Sequence, residues 1–221
     1  MLSYLDLHGS LLQDEQTAVA GTEVHDFVTA PVKVTVNIEG QPSREYNYEV
    51  LNHPTLTAQI AYADVMTKPR AVVELFTSQG CSSCPPADKV VGDLVSEGEV
   101  LALTLPVDYW DYLGWRDTLA SPDNSARQRA YAAHRGDRSV YTPQIVVNGI
   151  EHVVGGNRLS VQEALKRAPR LSAEIDMKHN DMGIEATVTG NLPKDAKMAT
   201  VFFISLNDRE EIPIGRGENA G

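Results

Sequence analysis

The sequence predicts an α/β domain over residues 70–168, flanked on both sides by β-rich segments. Three observations carry that expectation. Apolar runs at 71–77, 100–107 and 144–147 read as strands buried on both faces of a sheet. Helical patterns fill the stretches between them. The dipeptide Asn148-Gly149 then folds the chain back on itself as a hairpin.

The elements follow in order. Residues 1–30 show little periodicity. Residues 31–39 alternate strictly and read as a half-buried strand, and Gly40 to Ser43 form a turn. Residues 44–51 alternate again, so the pair reads as a hairpin that ends at Asn52-His53-Pro54. A helix is expected over Thr57 to Val65. Ala71 to Thr77 is the first buried strand. Ala87, Val90, Val91, Leu94 and Val95 then recur at helical spacing. Val100 to Val107 is the second strand. Ser121 and Pro122 have the character of an N-cap and first helical residue, for a helix running to about His134. Gln144 to Val147 and Ile150 to Val154 flank the Asn-Gly turn. Ser160-Val-Gln-Glu163 reads as a capping box opening a last helix, to about Ala168. The order is β-α-β-α-β-β-α, which implies a parallel core with an antiparallel strand added by the closing hairpin. Short strands are expected at 171–177, 183–189 and 199–206. The chain therefore divides into an N-terminal segment, 1–69; the α/β domain, 70–168; and a β-rich segment, 169–221. An isolated hairpin is marginal in water, so the one at 31–51 is expected to pair with the C-terminal strands. The competing reading makes residues 1–66 a separate or disordered appendage.

The chain has 221 residues, 42% of them hydrophobic, which suffices for a real core. A net charge of −11 argues against nucleic-acid binding by general electrostatics. No apolar run is long enough to span a bilayer. The N-terminus has neither a basic start nor a long apolar stretch, so it does not read as a secretory leader. On that reading the chain is cytoplasmic as written, or has lost a leader.

The chemistry centres on Cys81-Ser82-Ser83-Cys84, which holds both cysteines of the chain. Chance gives that spacing about one time in a hundred. Pro85 and Pro86 confine the helix start, since proline is tolerated only in a first turn. The helix is expected to begin near Ser82 or Ser83, with Cys81 at its lip and Cys84 inside the first turn. The helix dipole then favours a Cys81 thiolate, the species that attacks disulfides, and Cys84 is placed to resolve a mixed disulfide. The bland reading is an inert local bridge. Tyr141-Thr142-Pro143 precedes the third strand; a cis Thr142–Pro143 bond across from the dithiol would expose backbone to a substrate. Glu74, seven residues before Cys81, is a carboxylate in an apolar strand. It either exchanges a proton with Cys84 or is paired with an arginine or lysine. Asp108 is a weaker candidate for the same proton. Tyr109 and Trp110, in an aromatic stretch running to Trp115, either line a substrate groove or pack the loop. His134 and His152 read as surface or turn residues. A CxxC after a strand and before a helix, in this element order, reads as a thioredoxin-like redox motif.

The segment from Glu74 to Asp88 closely resembles a bacterial family catalogued as domain of unknown function 1223. Further matching segments are Val107 to Trp115, Ala126 to Tyr131, Ser139 to Gln144 and Gly215 to Asn219. The resemblance covers about residues 70–221. It implies a thioredoxin-like core followed by a β-rich segment, and an extracytoplasmic home, periplasmic or secreted, because members usually carry an export leader. It implies no particular reaction. Two departures stand out: members usually start near Ala71, and they usually continue past the Gly-Glu-Asn-Ala-Gly motif. Thioredoxins proper resemble the chain in topology only. They commonly place Gly-Pro between the cysteines and tryptophan before the first, where Ser82-Ser83 and Gly80 stand here, so the direction of electron flow stays open.

The function expected is that of a thiol–disulfide oxidoreductase. Cys81, Cys84, Pro143 and Glu74 are its catalytic candidates, and Thr142, Trp110 and Tyr109 its substrate contacts. Its partners are protein or small-molecule thiols and disulfides, with no cofactor, no nucleic acid and no membrane span. The rival is a module binding copper(I) or another thiophilic metal through the two thiolates. The third reading is a non-catalytic binding protein.

Overall fold

The computed structural model describes residues 2–4, 28–52, 69–98, 100–171, 173–180, 183–190, 202–204 and 211–220. In chain order its elements are β1 (Leu2–Tyr4), β2 (Val28–Ile38), β3 (Arg44–Asn52), β4 (Ala71–Thr77), α1 (Pro85–Ser96), β5 (Val100–Pro106), α2 (Pro122–Arg135), β6 (Gln144–Val147), β7 (Glu151–Val154), α3 (Arg158–Arg167), β8 (Ala173–Asn180), β9 (Gly183–Gly190) and β10 (Phe202–Ile204). The helix expected over 57–65 lies outside the described residues, as does most of the strand expected at 199–206. The chain forms two compact units. One comprises Met1–Lys68 with Ser172–Glu210, the other Pro69–Leu171 with Glu211–Gly221. The expected 169–221 segment is therefore divided, and its last residues belong with the α/β unit.

In the α/β unit the sheet order is β5-β4-β6-β7. Side chains alternate across a strand, so each face has its own cover. Ala71, Val73 and Leu75 of β4, with Ile145 and Val147 of β6, face Ala87, Val90, Val91 and Leu94 of α1 and Val161 and Ala164 of α3; all are buried. On the opposite face, Phe76 meets Tyr131 of α2 edge-on, with ring centroids 6.2 Å apart. Of the helix positions read from the sequence, Ala87, Val90, Val91 and Leu94 are thus buried, and Val95 is half-buried. Two starts differ. Asn157, rather than Ser160, caps α3, its side chain accepting from the Ser160 amide. Helix α1 starts at Pro85 rather than near Ser82 or Ser83.

The parallel core is smaller than expected. Among the described strands of this sheet, β4 and β5 alone are parallel; β6 runs antiparallel to β4, and β7 antiparallel to β6. The reason is the segment after α2. Gly136 closes that helix in a left-handed conformation, φ 82°. Residues 136–143 can span about 26 Å, more than the roughly 21 Å length of α2. The chain thus returns to the end of the sheet where β5 finished. The β6–β7 hairpin turns on Asn148 and Gly149, both at positive φ, and the Asn148 side chain also accepts from the Val72 amide at 2.8 Å.

The other unit contains a four-stranded sheet of order β3-β2-β9-β8. Strand β2 pairs antiparallel with β3 and parallel with β9, Val32 standing opposite Ile184. Val34, Val36 and Ala186 are buried there. Strands β1 and β10 pair with each other. Among the described residues, no helix is long and apolar enough to cross a membrane.

Candidate functional site

Cys81 and Cys84 are joined by a disulfide, their Cα atoms 5.4 Å apart. Cys81 is 4% exposed and Cys84 fully buried, so an incoming thiolate meets Cys81 first. Helix α1 begins at Pro85, with Cys84 as its N-cap, later than the sequence suggested. The prolines explain the delay. In a helix starting at Ser82, the amides of residues 85 and 86 would donate to the carbonyls of 81 and 82, and proline has no N–H. The first helical bonds therefore run from Ala87 and Asp88 to the Cys84 carbonyl, at 2.8 and 3.2 Å. Cys81 to Cys84 instead form a turn, with the Cys84 amide donating to the Cys81 carbonyl at 3.1 Å.

The loop before Cys81 is held from several directions. The Gln79 amide donates to the buried Asp117 carboxylate at 2.8 Å, and the Trp115 indole donates to the Gln79 side-chain oxygen at 2.7 Å. Gly80 lies against Trp110: a Cβ there would stand 3.3 Å from both its Cβ and its carbonyl oxygen. From the far end of the chain, the Asn219 amide donates to the carbonyls of Gln79 and Cys81, at 2.8 and 2.9 Å.

Thr142 and Pro143 belong to the same neighbourhood. The Trp110 indole donates to the Thr142 hydroxyl at 2.7 Å, linking Thr142 to the residue that packs on Gly80. The Thr142–Pro143 peptide bond is cis. The Pro143 carbonyl accepts from the Gly155 amide at 3.0 Å, and a Cβ on Gly155 would stand 2.9 Å from the Ala87 Cβ. The proline is thus tied to the first turn of α1. Tyr109 turns inward instead. Its hydroxyl donates to the buried Gln128 side chain at 3.0 Å, and burial raises its pKa above the ordinary phenol value. Tyr112 stacks on Trp110 at 6.4 Å between centroids and is 76% exposed.

Glu74 is not brought into this group. Its strand parity puts it on the sheet face away from α1. There Arg127 Nε donates to one carboxylate oxygen at 2.6 Å and the Tyr131 hydroxyl donates to the other. The paired reading of Glu74 is the one realised, and a route from its carboxylate to Cys84 has no geometric support. Asp108 is likewise engaged, accepting the Ser125 hydroxyl. His134 is exposed, whereas His152 is part-buried with its Nδ1 3.0 Å from the Tyr141 hydroxyl.

One carboxylate was missed. Asp88, in the first turn of α1, accepts the Thr77 hydroxyl at 3.1 Å. Its pKa is pushed up to about 6: desolvation is the main cause, the Thr77 bond opposes it, and the Asp117 charge adds to it. The legible signal was its spacing, one helical turn beyond Cys84. Well below pH 3.8, its ordinary value, Asp88 is protonated folded and unfolded and costs nothing. Above its folded pKa it is ionised against desolvation, so stability falls as pH rises from about 4 to 6. Asp88→Asn keeps a partner for Thr77 and removes that cost. Because the residue is solvent-exposed as a whole, the gain is screened to about 1 kcal/mol at pH 7.5, a Tm rise of about 3 °C. Thermal melts at pH 7.5 and pH 4 check this; an equal rise at both would reject it.

Among the described residues, no group of three His, Cys, Asp or Glu side chains is placed to hold a metal ion. Fold and site together define an α/β protein with a CxxC disulfide at the amino end of the first helix of that unit. The chain belongs to the family described as protein of unknown function, DUF1223, which it matches over residues 72–221. Two solved structures show similarity. A protein of Agrobacterium tumefaciens is 42% identical over 52% of this chain and 53% of its own, with a TM-score of 0.49. HBP35 of Porphyromonas gingivalis is 15% identical over 50% of this chain and 37% of its own, with a TM-score of 0.37. The chain thus spans about half the length of the first and little over a third of the second. No curated protein matches it.

Proposed function

We propose that this chain is a thiol–disulfide oxidoreductase built on a thioredoxin-like unit and working outside the cytoplasm on protein or small-molecule thiols and disulfides. The observation that carries the proposal is the Cys81–Cys84 disulfide ahead of α1, with Cys84 fully buried and Cys81 slightly more accessible. The sheet order, with its parallel β4–β5 pair and antiparallel β6 and β7, supports the thioredoxin-like reading. A Cys81–Cys84 disulfide suits an oxidising compartment.

In the reducing direction, the Cys81 thiolate attacks one sulfur of a substrate disulfide. A mixed disulfide forms, and the first substrate thiolate leaves and takes a proton. Cys84 then gives up its proton and attacks the Cys81 sulfur. The second substrate thiol is released and the protein disulfide forms. Two electrons pass to the substrate, and every step reverses when a substrate thiolate attacks Cys81. Asp88, one turn beyond Cys84, is the carboxylate suited to taking the Cys84 proton. Thr142, Pro143 and Trp110 supply the substrate contact, with Tyr112 as an exposed ring beside them.

The test equilibrates the protein with glutathione buffers and then follows turnover of a small disulfide. A reversible two-electron couple is expected in the range of about −270 to −120 mV, with turnover above the glutathione background. A dithiol that titrates reversibly and gives no turnover with small or protein disulfides overturns the proposal.

A further inference from the structure

The tail 211–220 is distant in sequence from the dithiol, and the chemistry above leaves it unused. Yet Asn219 spends both hydrogens of its side-chain amide on two carbonyls that flank Gly80, those of Gln79 and Cys81. The tail is itself seated. A Cβ on Gly215 would stand 3.3 Å from the Trp115 ring, and Gly217, at φ 88°, would place one 3.6 Å from the Trp115 Cβ. Trp115 in turn donates to the Gln79 side chain. The tail and the aromatic loop therefore close on the same three residues, Gln79 to Cys81, from two sides.

We propose that Asn219 is a positioning residue of the dithiol, setting its redox equilibrium by holding the Cys81 backbone in the conformation that the disulfide requires. The inference rests on Cys81 and Cys84 being a working redox pair. The Cys81 carbonyl is shared: the Cys84 amide donates to it at 3.1 Å, closing the turn that brings the two cysteines together, and Asn219 donates at 2.9 Å. Fixing that peptide keeps the two sulfurs at bonding distance. The disulfide needs the fixed geometry and the dithiol does not, so the clamp favours the oxidised form. The equilibrium concerned is protein disulfide plus two glutathione thiols going to protein dithiol plus glutathione disulfide.

The experiment uses the whole chain and three variants: Asn219→Ala, Asn219→Asp and, as a control, Glu218→Ala, the exposed neighbour. Each is equilibrated in glutathione buffers, quenched by alkylation and scored by mass for the dithiol fraction. Asn219→Ala is expected to shift the equilibrium toward the dithiol by about tenfold, equal to about 30 mV. Asn219→Asp keeps the shape but turns a carboxylate toward two carbonyls, and shifts it further in the same direction. Glu218→Ala leaves it unchanged. Melting temperatures are recorded in parallel, since a merely structural role lowers them without moving the equilibrium. Variants whose equilibrium stays within twofold of the parent, or moves toward the disulfide, overturn the inference. Because the titration needs no turnover, the clamp can fail while the oxidoreductase reading stands, and the reverse.

Discussion

For the proposed oxidoreductase, Cys81→Ser is expected to lower disulfide turnover on the order of 10³-fold or more, the scale expected when a nucleophile is removed outright. Cys84→Ser behaves differently. It keeps the attacking thiol and loses only the resolving one, so it stalls as a mixed disulfide with one substrate thiol. The asymmetry follows from access. Cys84 is fully buried at the N-cap of α1, whereas Cys81 keeps a slight exposure of 4%. Intact-mass measurement after incubation with a small disulfide should find the adduct on Cys84→Ser and not on Cys81→Ser. An adduct on the Cys84 sulfur of Cys81→Ser would reverse the assigned roles.

Arg127→Ala is expected to cost about 3 to 5 kcal/mol, because it strands a buried carboxylate. Glu74 has 3% of its side chain exposed, and Arg127 and Tyr131 provide its hydrogen bonds. The guanidinium also donates to the Tyr131 hydroxyl at 2.9 Å and lies 5.2 Å from that ring's centre. Losing it removes the positive partner and leaves the buried Glu74 charge with only the neutral Tyr131 hydroxyl of the two donors named above. A fall in Tm of about 10 °C or more follows for the α/β unit. Glu74→Leu combined with Arg127→Met should recover at least half of the loss, since an apolar pair of similar volume needs no charge partner. Denaturant melts of the single and double variants measure it. A single variant within about 1 kcal/mol of the parent would mean that water reaches Glu74.

The fold of the α/β unit was legible because its signals are local. Pro122 after Ser121, the Asn148-Gly149 turn and the apolar runs each act within a few residues, and each element stands where they place it. The direction of β6 was not legible, because it depends on how the segment after α2 returns, which no local pattern states. Glu74 shows how a site reading fails on parity. Seven residues before Cys81 is close in sequence, yet the neighbour one position along, Leu75, is the one facing α1. The buried charge then needed a partner, and Arg127 lies 53 positions away. Asp88 was overlooked because a carboxylate in the first turn of a helix is ordinary for its interaction with the dipole. The grip of Asn219 on Cys81 crosses 138 positions, and only three-dimensional structure brings the two together.

The pairing of β2 with β9 also governs the order of events during synthesis. Strand β2 leaves the ribosome before the α/β unit, but its parallel neighbour follows only after Pro69–Leu171, the main part of that unit, has been made. At 5 to 20 residues per second, roughly 150 intervening residues mean a wait of about 8 to 30 s. Strand β3 can pair with β2 at once, leaving the other edge of that hairpin uncovered meanwhile. Folding of the α/β unit in the interval shortens the loop that must close, because a compact insert brings its two ends together before β9 arrives. The nascent chain therefore carries an open strand edge until β9 emerges, the period in which association with another nascent copy or a chaperone is favoured.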